Sequence, residues 1–171
     1  MERVIVIGSP GAGKSTFSRK LAKLTSLPLY HLDLIYHRSD RTTIPKDEFD
    51  IKLAEIAAKD SWIIDGNYSR TMKMRIEACD TVFFLDYPLE VCLEGARSRV
   101  GTKRDDLPWV EDVLDPEFEK CIYAYHKDKL QLTYELLEKY AGKKKIIVFK
   151  SREESEEYLQ SEMNKRMTKE E

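Results

Sequence analysis

Residues 4–16 read VIVIGSPGAGKST, four apolar residues followed by a glycine-punctuated loop that ends in Lys-Ser-Thr. A short apolar run, a turn and then a helical pattern predict a buried strand, a loop and a helix. Glycine lets the loop backbone curl so that successive N–H groups point inward around an anion. The positive end of the helix dipole lies at the same place. The stretch therefore predicts a strand–loop–helix unit that binds phosphate.

The spacing of four residues sharpens this prediction. Gly8, Gly13, Lys14 and Ser15 satisfy the pattern G-x-x-x-x-G-K-[ST] of nucleotide-binding phosphate loops. At this spacing the Lys14 ammonium reaches the β- and γ-phosphates, and the Ser15 hydroxyl ligates Mg²⁺. We therefore expect ATP and Mg²⁺ as cofactors. The residues expected to contact the nucleotide are Gly8, Ser9, Pro10, Gly11, Ala12, Gly13, Lys14, Ser15 and Thr16.

The rest of the chain alternates short apolar runs with longer amphipathic stretches. The apolar runs are residues 4–7, 27–32, 62–64, 81–85 and 145–149. Asp115 followed by Pro116 predicts the start of one helix, and Ser151 with Glu154 predicts a capping box at another. We expect that terminal helix to span about residues 151–165, with a frayed tail. The alternation predicts one α/β domain over residues 1–171, with helices on both faces of a parallel sheet.

Composition narrows the classes of partner. The 171 residues include 29 basic and 31 acidic ones, for a net charge of −2, whereas proteins that bind nucleic-acid backbones usually carry a basic excess. No apolar run approaches the ~20 residues that span a bilayer, and we expect no export leader before the first strand. The cysteines, Cys79, Cys92 and Cys121, are odd in number and far apart. We therefore expect reduced thiols, a cytoplasmic location and no membrane partner.

A phosphate loop alone does not identify a reaction, so other features must distinguish between the classes of nucleotide-binding protein. A GTPase would need an Asn-Lys-x-Asp base reader, but residues 164–167 read NKRM and lack the aspartate. Asp86 is followed by Tyr87 and Pro88 instead of a D-x-x-G switch. Motor and transporter ATPases need a larger chain. The remaining class is a small kinase.

Five stretches then occur in a recognisable order. They read GSPGAGKSTFSRKLA, PLYHLDLIY, WIIDGNYSRT, TVFFLDYP and IIVFKSREESEEYL. Together they resemble the adenylate-kinase-related P-loop proteins called DNA topology modulation proteins (FlaR-like). The resemblance extends to about Tyr158 and is weakest over residues 101–115. It implies a three-layer P-loop fold, a five-stranded sheet in the order 2-3-1-4-5, and a short lid at about residues 97–116.

The resemblance also implies an acceptor side. Asp33 closes the second predicted strand, where an acid in similar kinases holds the acceptor hydroxyl or a metal-bound water; a plain helix cap is the alternative. Asp65, Gly66 and Asn67 resemble the turn beside the acceptor in adenylate kinases. Arg70 and Arg75 follow, placed to meet an anionic acceptor or simply solvated.

Three further positions complete the expected site. Asp86 ends the fourth predicted strand, where related proteins place a carboxylate that orders the water shell of magnesium. Arg97 and Arg99, ahead of Lys103 and Arg104, are the lid residues expected to act in catalysis beside Lys14 and Asp33. Their charges would stabilise the transferring phosphoryl group. Arg152 follows the fifth strand and would lie against the adenine.

The acceptor is left open between a nucleotide or nucleoside and another hydroxylated metabolite, as in kinases of the shikimate or gluconate type. Arg70 and Arg75 favour a phosphorylated acceptor, whereas Asp33 favours a free hydroxyl. Because of the family resemblance, we favour the nucleotide. The rival hypothesis is a regulatory ATP-binding protein linked to DNA topology, which would need a basic surface.

Overall fold

In the computed structural model, which describes residues 1–168, the five apolar runs form one parallel sheet. Its strands are β1 (Arg3–Gly8), β2 (Leu29–His31), β3 (Trp62–Asp65), β4 (Thr81–Leu85) and β5 (Lys145–Phe149). The order across the sheet is β2-β3-β1-β4-β5, and each pair of neighbours is parallel. This arrangement confirms the predicted α/β class and strand order.

Helices connect the strands and cover both faces of the sheet. They are α1 (Lys14–Thr25), α2 (Leu32–Tyr36), α3 (Lys46–Ala57), α4 (Ser69–Ala78), α5 (Leu89–Arg97), α6 (Pro116–Ala124), α7 (Leu130–Glu138) and α8 (Arg152–Met167). A π-helical turn, Tyr125–Lys129, joins α6 to α7. Within residues 1–168, no helix combines the length and apolar character needed to cross a membrane.

The two faces of the sheet carry two separate cores because alternate strand residues point to opposite sides. Val4 and Val6 pack against one set of helices, and Ile5 and Ile7 pack against the other. The first set contributes the buried residues Phe17, Leu21, Cys92, Leu93, Ala96, Ile122 and Leu159. The second set contributes Phe49, Leu53, Ile56, Met72, Ile76 and Leu137.

The strand register positions the candidate site. β1 is the central strand, and it pairs Val6 with Asp65 of β3 and Gly8 with Leu85 of β4. All five strands run in the same direction, so their carboxyl ends meet at one edge of the sheet. Ligands of open parallel sheets bind at that edge. The register therefore places Asp65 beside the start of the phosphate loop.

The second strand is shorter than predicted. It ends at His31, and α2 begins at Leu32. Asp33 thus lies in the first turn of a short helix and does not close the strand. The chain turns because the buried Leu32 packs against Gly66 and because the His37 N–H donates to the Asp33 carbonyl at 2.9 Å.

The expected helix after Pro116 also differs in detail. Its cap is confirmed, since the Asp115 side chain accepts a hydrogen bond from the Glu117 N–H at 2.9 Å. The buried face of this helix does not continue in register into α7, because Leu132 is exposed and Leu137 is the buried residue. The five-residue π turn shifts the phase of the residues that follow it.

The capping box before α8 is confirmed in part. Ser151 Oγ accepts from the Glu154 N–H at 3.2 Å, but the Glu154 carboxylate accepts from the Lys150 N–H at 2.7 Å instead of from Ser151. The helix continues to Met167, two residues beyond the predicted end. The part of the expected frayed tail at residues 169–171 lies outside the described residues.

Candidate active site

A cavity of about 1310 Å³ opens at the carboxyl ends of the strands. Its walls come from the phosphate loop, α2, the loop after β3, the 98–115 loop between α5 and α6, and the start of α8. The predicted site residues that line it are Pro10, Gly11, Ala12, Gly13, Lys14, Ser15, Thr16, Asp33, Asp65, Gly66, Asn67, Arg99 and Arg152. The fold thus brings most of the predicted donor and acceptor residues to one place.

Two glycines set the close packing of the phosphate loop on α5. Gly11 has φ +80°, and a Cβ there would lie 2.0 Å from the Cys92 carbonyl oxygen. A Cβ on Gly95 would lie 2.2 Å from the Gly11 carbonyl oxygen. Contacts this short exclude any side chain at either position. The loop can therefore pass directly over α5 only because both residues are glycine.

The Lys14 side chain reaches back to the first residues of the phosphate loop. Its Nζ donates to the carbonyl oxygens of Gly8 and Ser9, at 3.2 and 3.0 Å. Burial lowers the pKa of the Lys14 ammonium from its ordinary value, while the carboxylates of Asp65 and Asp33 oppose that change. A bound phosphate would supply the strong acceptors that an ammonium prefers. Lys14 is therefore placed to exchange its carbonyl partners for phosphate oxygens.

Asn67 fixes the start of this loop. The Gly8 N–H donates to Asn67 Oδ1 at 3.1 Å, and Asn67 Nδ2 donates to the Gly8 carbonyl. The side chain predicted to bind the acceptor therefore joins the loop after β3 to the phosphate loop. Although Gly8 and Ser9 are not on the cavity wall, they act on the site through Asn67 and Lys14.

Asp65 offers one free carboxylate oxygen. Its Oδ2 lies 2.8 Å from His31 Nδ1, within a buried pair. Its Oδ1 is buried and has no hydrogen-bond partner among the described residues. A buried oxygen without a partner, on the wall of the cavity that Ser15 also lines, is the kind of ligand that Mg²⁺ prefers. Sequence reasoning did not assign this part to Asp65, and it did not find the supporting His31.

Asp33 lies on the cavity wall, beside the aromatic ring of Tyr68. The Tyr68 hydroxyl donates to Asp33 Oδ1 at 2.8 Å. Burial, together with the Asp33 charge, raises the pKa of Tyr68 far above its ordinary value, so the phenol stays protonated. Tyr68 stacks on Phe49 with ring centroids 5.0 Å apart. This wall therefore combines one carboxylate with an aromatic surface.

Arg70 and Arg75 do not reach the cavity, contrary to the predicted role in binding the acceptor. Arg70 is exposed and pairs with Asp50 of α3. Arg75 is fully buried and donates to the carbonyls of Gly66, Asn67 and Tyr68. Its guanidinium holds the loop after β3 in shape and does not line the cavity.

Asp86 and Arg97 also lie outside the cavity wall. The Asp86 carboxylate accepts hydrogen bonds from Tyr134 and Lys150, which engage it on the β5 side of the sheet. Arg97 is exposed and pairs with Glu119 at 2.7 Å. The structure therefore does not bring Asp86 to the predicted metal position or Arg97 to the predicted catalytic one.

The 98–115 loop contributes Arg99 to the cavity. The Arg99 guanidinium lies 5.6 Å from the centre of the Phe118 ring, and its Nε and Nη2 are buried with no hydrogen-bond partner within residues 1–168. Burial and the nearby Arg104 lower the pKa of Arg99. Unpartnered guanidinium N–H groups on a cavity wall are suited to bind an anion.

Arg152, the first residue of α8, also lines the cavity. Its Nη2 donates to the Val91 carbonyl at 3.2 Å and approaches Gly95, so the guanidinium borders the phosphate loop. Its expected contact with the adenine stays a prediction.

Sequence reasoning also missed Arg19 and Asp106, which are charged residues on the cavity wall. Arg19 lies on α1, one turn after the phosphate loop, and Asp106 lies near the middle of the 98–115 loop. The two form an ion pair at 3.8 Å. The signal for Arg19 was its spacing from Lys14 and Ser15, which places it near them on a helix. Asp106 had no comparable signal, because irregular loops carry no periodicity.

Comparisons with known proteins agree with this architecture. No protein-family model matches the chain. Adenylate kinases from Thermotoga petrophila and Thermotoga maritima are each 30% identical to it over 94 residues, which is 53% of this chain and 42% of theirs. The chain thus spans less than half the length of these curated relatives.

Solved structures match over nearly the whole chain. Shikimate kinase from Acinetobacter baumannii in complex with shikimate has a TM-score of 0.61 at 17% identity, covering 96% of this chain and 94% of that one. A gluconokinase from Sinorhizobium meliloti 1021 has a TM-score of 0.57 at 16% identity, covering 95% and 90%. At this level of identity the similarity establishes the fold. The chain therefore has the fold of the small P-loop kinases.

Proposed function

We propose that this protein is a Mg²⁺- and ATP-dependent kinase that transfers the γ-phosphoryl group to a hydroxyl of a small acceptor carrying no phosphate of its own. One observation carries the proposal. The phosphate loop and Asp33 face the same cavity, whereas Arg70 and Arg75, the residues expected to bind an acceptor phosphate, both point elsewhere.

The donor side supports ATP binding through complementary charge. The N–H groups at the start of α1 and the Lys14 ammonium would bind the β- and γ-phosphates. Arg99 would add the N–H groups that have no partner in the described residues. Ser15 and Asp65 would hold Mg²⁺, which neutralises charge on the transferring phosphoryl group.

The acceptor side supports a hydroxyl without an adjacent phosphate. Asp33 would accept a hydrogen bond from the acceptor hydroxyl, and its negative charge would repel a nearby acceptor phosphate. In the transfer, the acceptor oxygen forms a bond to the γ-phosphorus, the bond from that phosphorus to the β–γ bridging oxygen breaks, and ADP leaves. Asp33 receives the hydroxyl proton. Tyr68 keeps the Asp33 carboxylate in place.

Paired acceptors test the proposal. ATP consumption is measured with nucleosides, sugar acids and other polyols, each beside its own phosphate ester. We expect an acceptor without phosphate to accelerate ATP consumption and to raise the melting temperature of the protein by mass action. Acceleration by phosphate esters alone, with none by their unphosphorylated partners, would overturn the assignment of the acceptor.

A nucleoside monophosphate is the second candidate acceptor, favoured by the 30% identity with two adenylate kinases over 94 residues. The paired assay decides between the two. Nothing observed in the described residues supports a regulatory role in DNA topology. That role stays a prediction from the family resemblance. Steeply salt-dependent DNA binding would support that role.

A further inference from the structure

Asp106 of the 98–115 loop lies at the start of α1, where the phosphate loop ends. The residue is only 3% exposed. Arg104 Nε donates to Asp106 Oδ1 at 3.1 Å, and Arg104 Nη2 donates to Oδ2. Arg19 Nη1 lies 3.8 Å from the same carboxylate, and the Ser15 hydroxyl lies beside it. An anionic side chain is thus held against the residues that begin the donor site.

These partners are the kinds of group that bind phosphate. They are a hydroxyl in the first turn of a helix, the positive end of that helix and two guanidinium groups. The Asp106 carboxylate accepts two hydrogen bonds from the Arg104 guanidinium, and such bonds favour the ionised form of a carboxyl group. The carboxylate is therefore charged at neutral pH. A carboxylate and a phosphate would repel each other in this position.

The loop that carries Asp106 is closed at its base and docked at its tip. The Gly101 N–H donates to the Glu111 carbonyl at 2.7 Å, and Arg104 Nη1 donates to the Glu111 carboxylate at 3.0 Å. At the tip, the Trp109 ring lies edge-on to His37 at 5.4 Å. Movement of Asp106 away from α1 would therefore also change the contacts of Trp109.

We propose that Asp106 is an internal competitor of the phosphate groups of ATP, which docks the 98–115 loop on α1 until nucleotide displaces it. This inference rests on the donor site of the proposed function. Displacement would free Arg104 from Asp106 and make its guanidinium available to the incoming phosphate. The docked state would lower the apparent affinity for ATP, because only the undocked fraction of the protein binds.

The experiment compares the wild type with Asp106→Asn, which removes the charge and keeps the size of the side chain. Asp112→Asn is the matched control, since it makes the same charge change at an exposed position of the same loop. Calorimetry gives the dissociation constants of Mg·ATP and of inorganic tripolyphosphate. We expect Asp106→Asn to bind both about tenfold more tightly, the effect of losing one charge-assisted hydrogen bond from the docked state. Asp112→Asn should bind like the wild type.

Acrylamide quenching of tryptophan fluorescence gives a second readout without nucleotide. Trp62 is fully buried in the core, so changes in quenching report on Trp109. We expect stronger quenching in Asp106→Asn than in the wild type, because the loop undocks more often. A merely structural role for Asp106 would leave nucleotide affinity unchanged or weaker.

Unchanged or weaker binding by Asp106→Asn would overturn the proposal, as would tighter binding with unchanged Trp109 quenching. If the wild type binds neither Mg·ATP nor tripolyphosphate, the donor site itself is wrong and the proposed function fails with it. Asp106→Ser, smaller and also uncharged, carries the same test if the Asn variant does not fold.

Discussion

At the scale of single residues, the account depends on the different surroundings of two carboxylates. Asp65 is buried and paired with His31, with one oxygen left free, whereas Asp33 lies on the cavity wall and accepts only from Tyr68 in the described structure. The surroundings of Asp65 suit a fixed carboxylate that helps to hold Mg²⁺. The surroundings of Asp33 suit a group that exchanges hydrogen bonds with a substrate and accepts its proton.

Asp33→Asn should therefore damage transfer without damaging ATP binding. Loss of the proton acceptor predicts a fall in kcat/KM for the acceptor of about 100-fold or more. The dissociation constant of Mg·ATP, measured by calorimetry, should change little. Tyr68→Phe is the control, because it keeps the carboxylate and removes only the bond that orients it, so its effect should be smaller. A normal kcat/KM in Asp33→Asn would contradict the assigned role.

At the scale of elements, Arg75 supports the loop after β3, although its position in the sequence predicted that it binds the acceptor. Arg75 lies on α4, and its Nη1 and Nη2 donate to three carbonyls of that loop, whereas its buried Nε has no partner among the described residues. The same loop carries Asn67, which in turn holds Gly8. Arg75 thus acts on the phosphate loop through backbone and side-chain contacts, without touching the cavity.

Replacing each of the two arginines of α4 should change the free energy of unfolding to very different extents. Arg75→Met leaves buried carbonyls without donors and should lower the free energy of unfolding by roughly 3 kcal/mol or more. Arg70→Ala removes only an exposed ion pair and should leave the free energy of unfolding nearly unchanged. Urea denaturation measures both. An acceptor KM raised tenfold by Arg70→Ala would restore Arg70 to the acceptor site.

The elements that the sequence predicts well are those whose cause is local. The P-loop, β4 and the cap at Asp115 follow from apolar runs, glycine spacing and capping residues. The end of β2 depends on how Leu32 packs against Gly66 in another segment, and the arginine partners depend on tertiary contacts. Neither leaves a periodic signal. For the same reason the prediction placed Asp33 in a strand and missed Asp106 altogether.

At the scale of the whole molecule, Asp80 ties the beginnings of β1 and β4 together. Its carboxylate accepts from the N–H groups of Glu2 and Arg3, both at 2.8 Å, and from the Thr81 hydroxyl at 2.6 Å. Partial burial opposes ionisation, but these hydrogen bonds outweigh it and lower the pKa of Asp80. The ionised carboxylate therefore stabilises the sheet.

The stabilisation from Asp80 should depend on pH in a defined direction. Because the folded pKa lies below the unfolded value of about 3.9, the contribution is complete above that pH and is lost as the pH falls further. Asp80→Ala should cost about 1–3 kcal/mol at pH 7, and the difference from the wild type should shrink below about pH 4. Urea denaturation at several pH values measures it, with exposed Asp60→Ala as the control. A difference that grows as the pH falls would contradict this account.

The central claim is that the phosphate loop and the Asp33 wall form the two halves of one phosphoryl-transfer site. The most direct test follows the γ-phosphoryl group of ATP by ³¹P NMR during the paired-acceptor assay, with the wild type and Lys14→Ala side by side. The account predicts a new phosphate ester on an acceptor without phosphate for the wild type, and loss of that product in a folded Lys14→Ala variant. Equal transfer by both proteins, or transfer only to acceptors that already carry a phosphate, would contradict it.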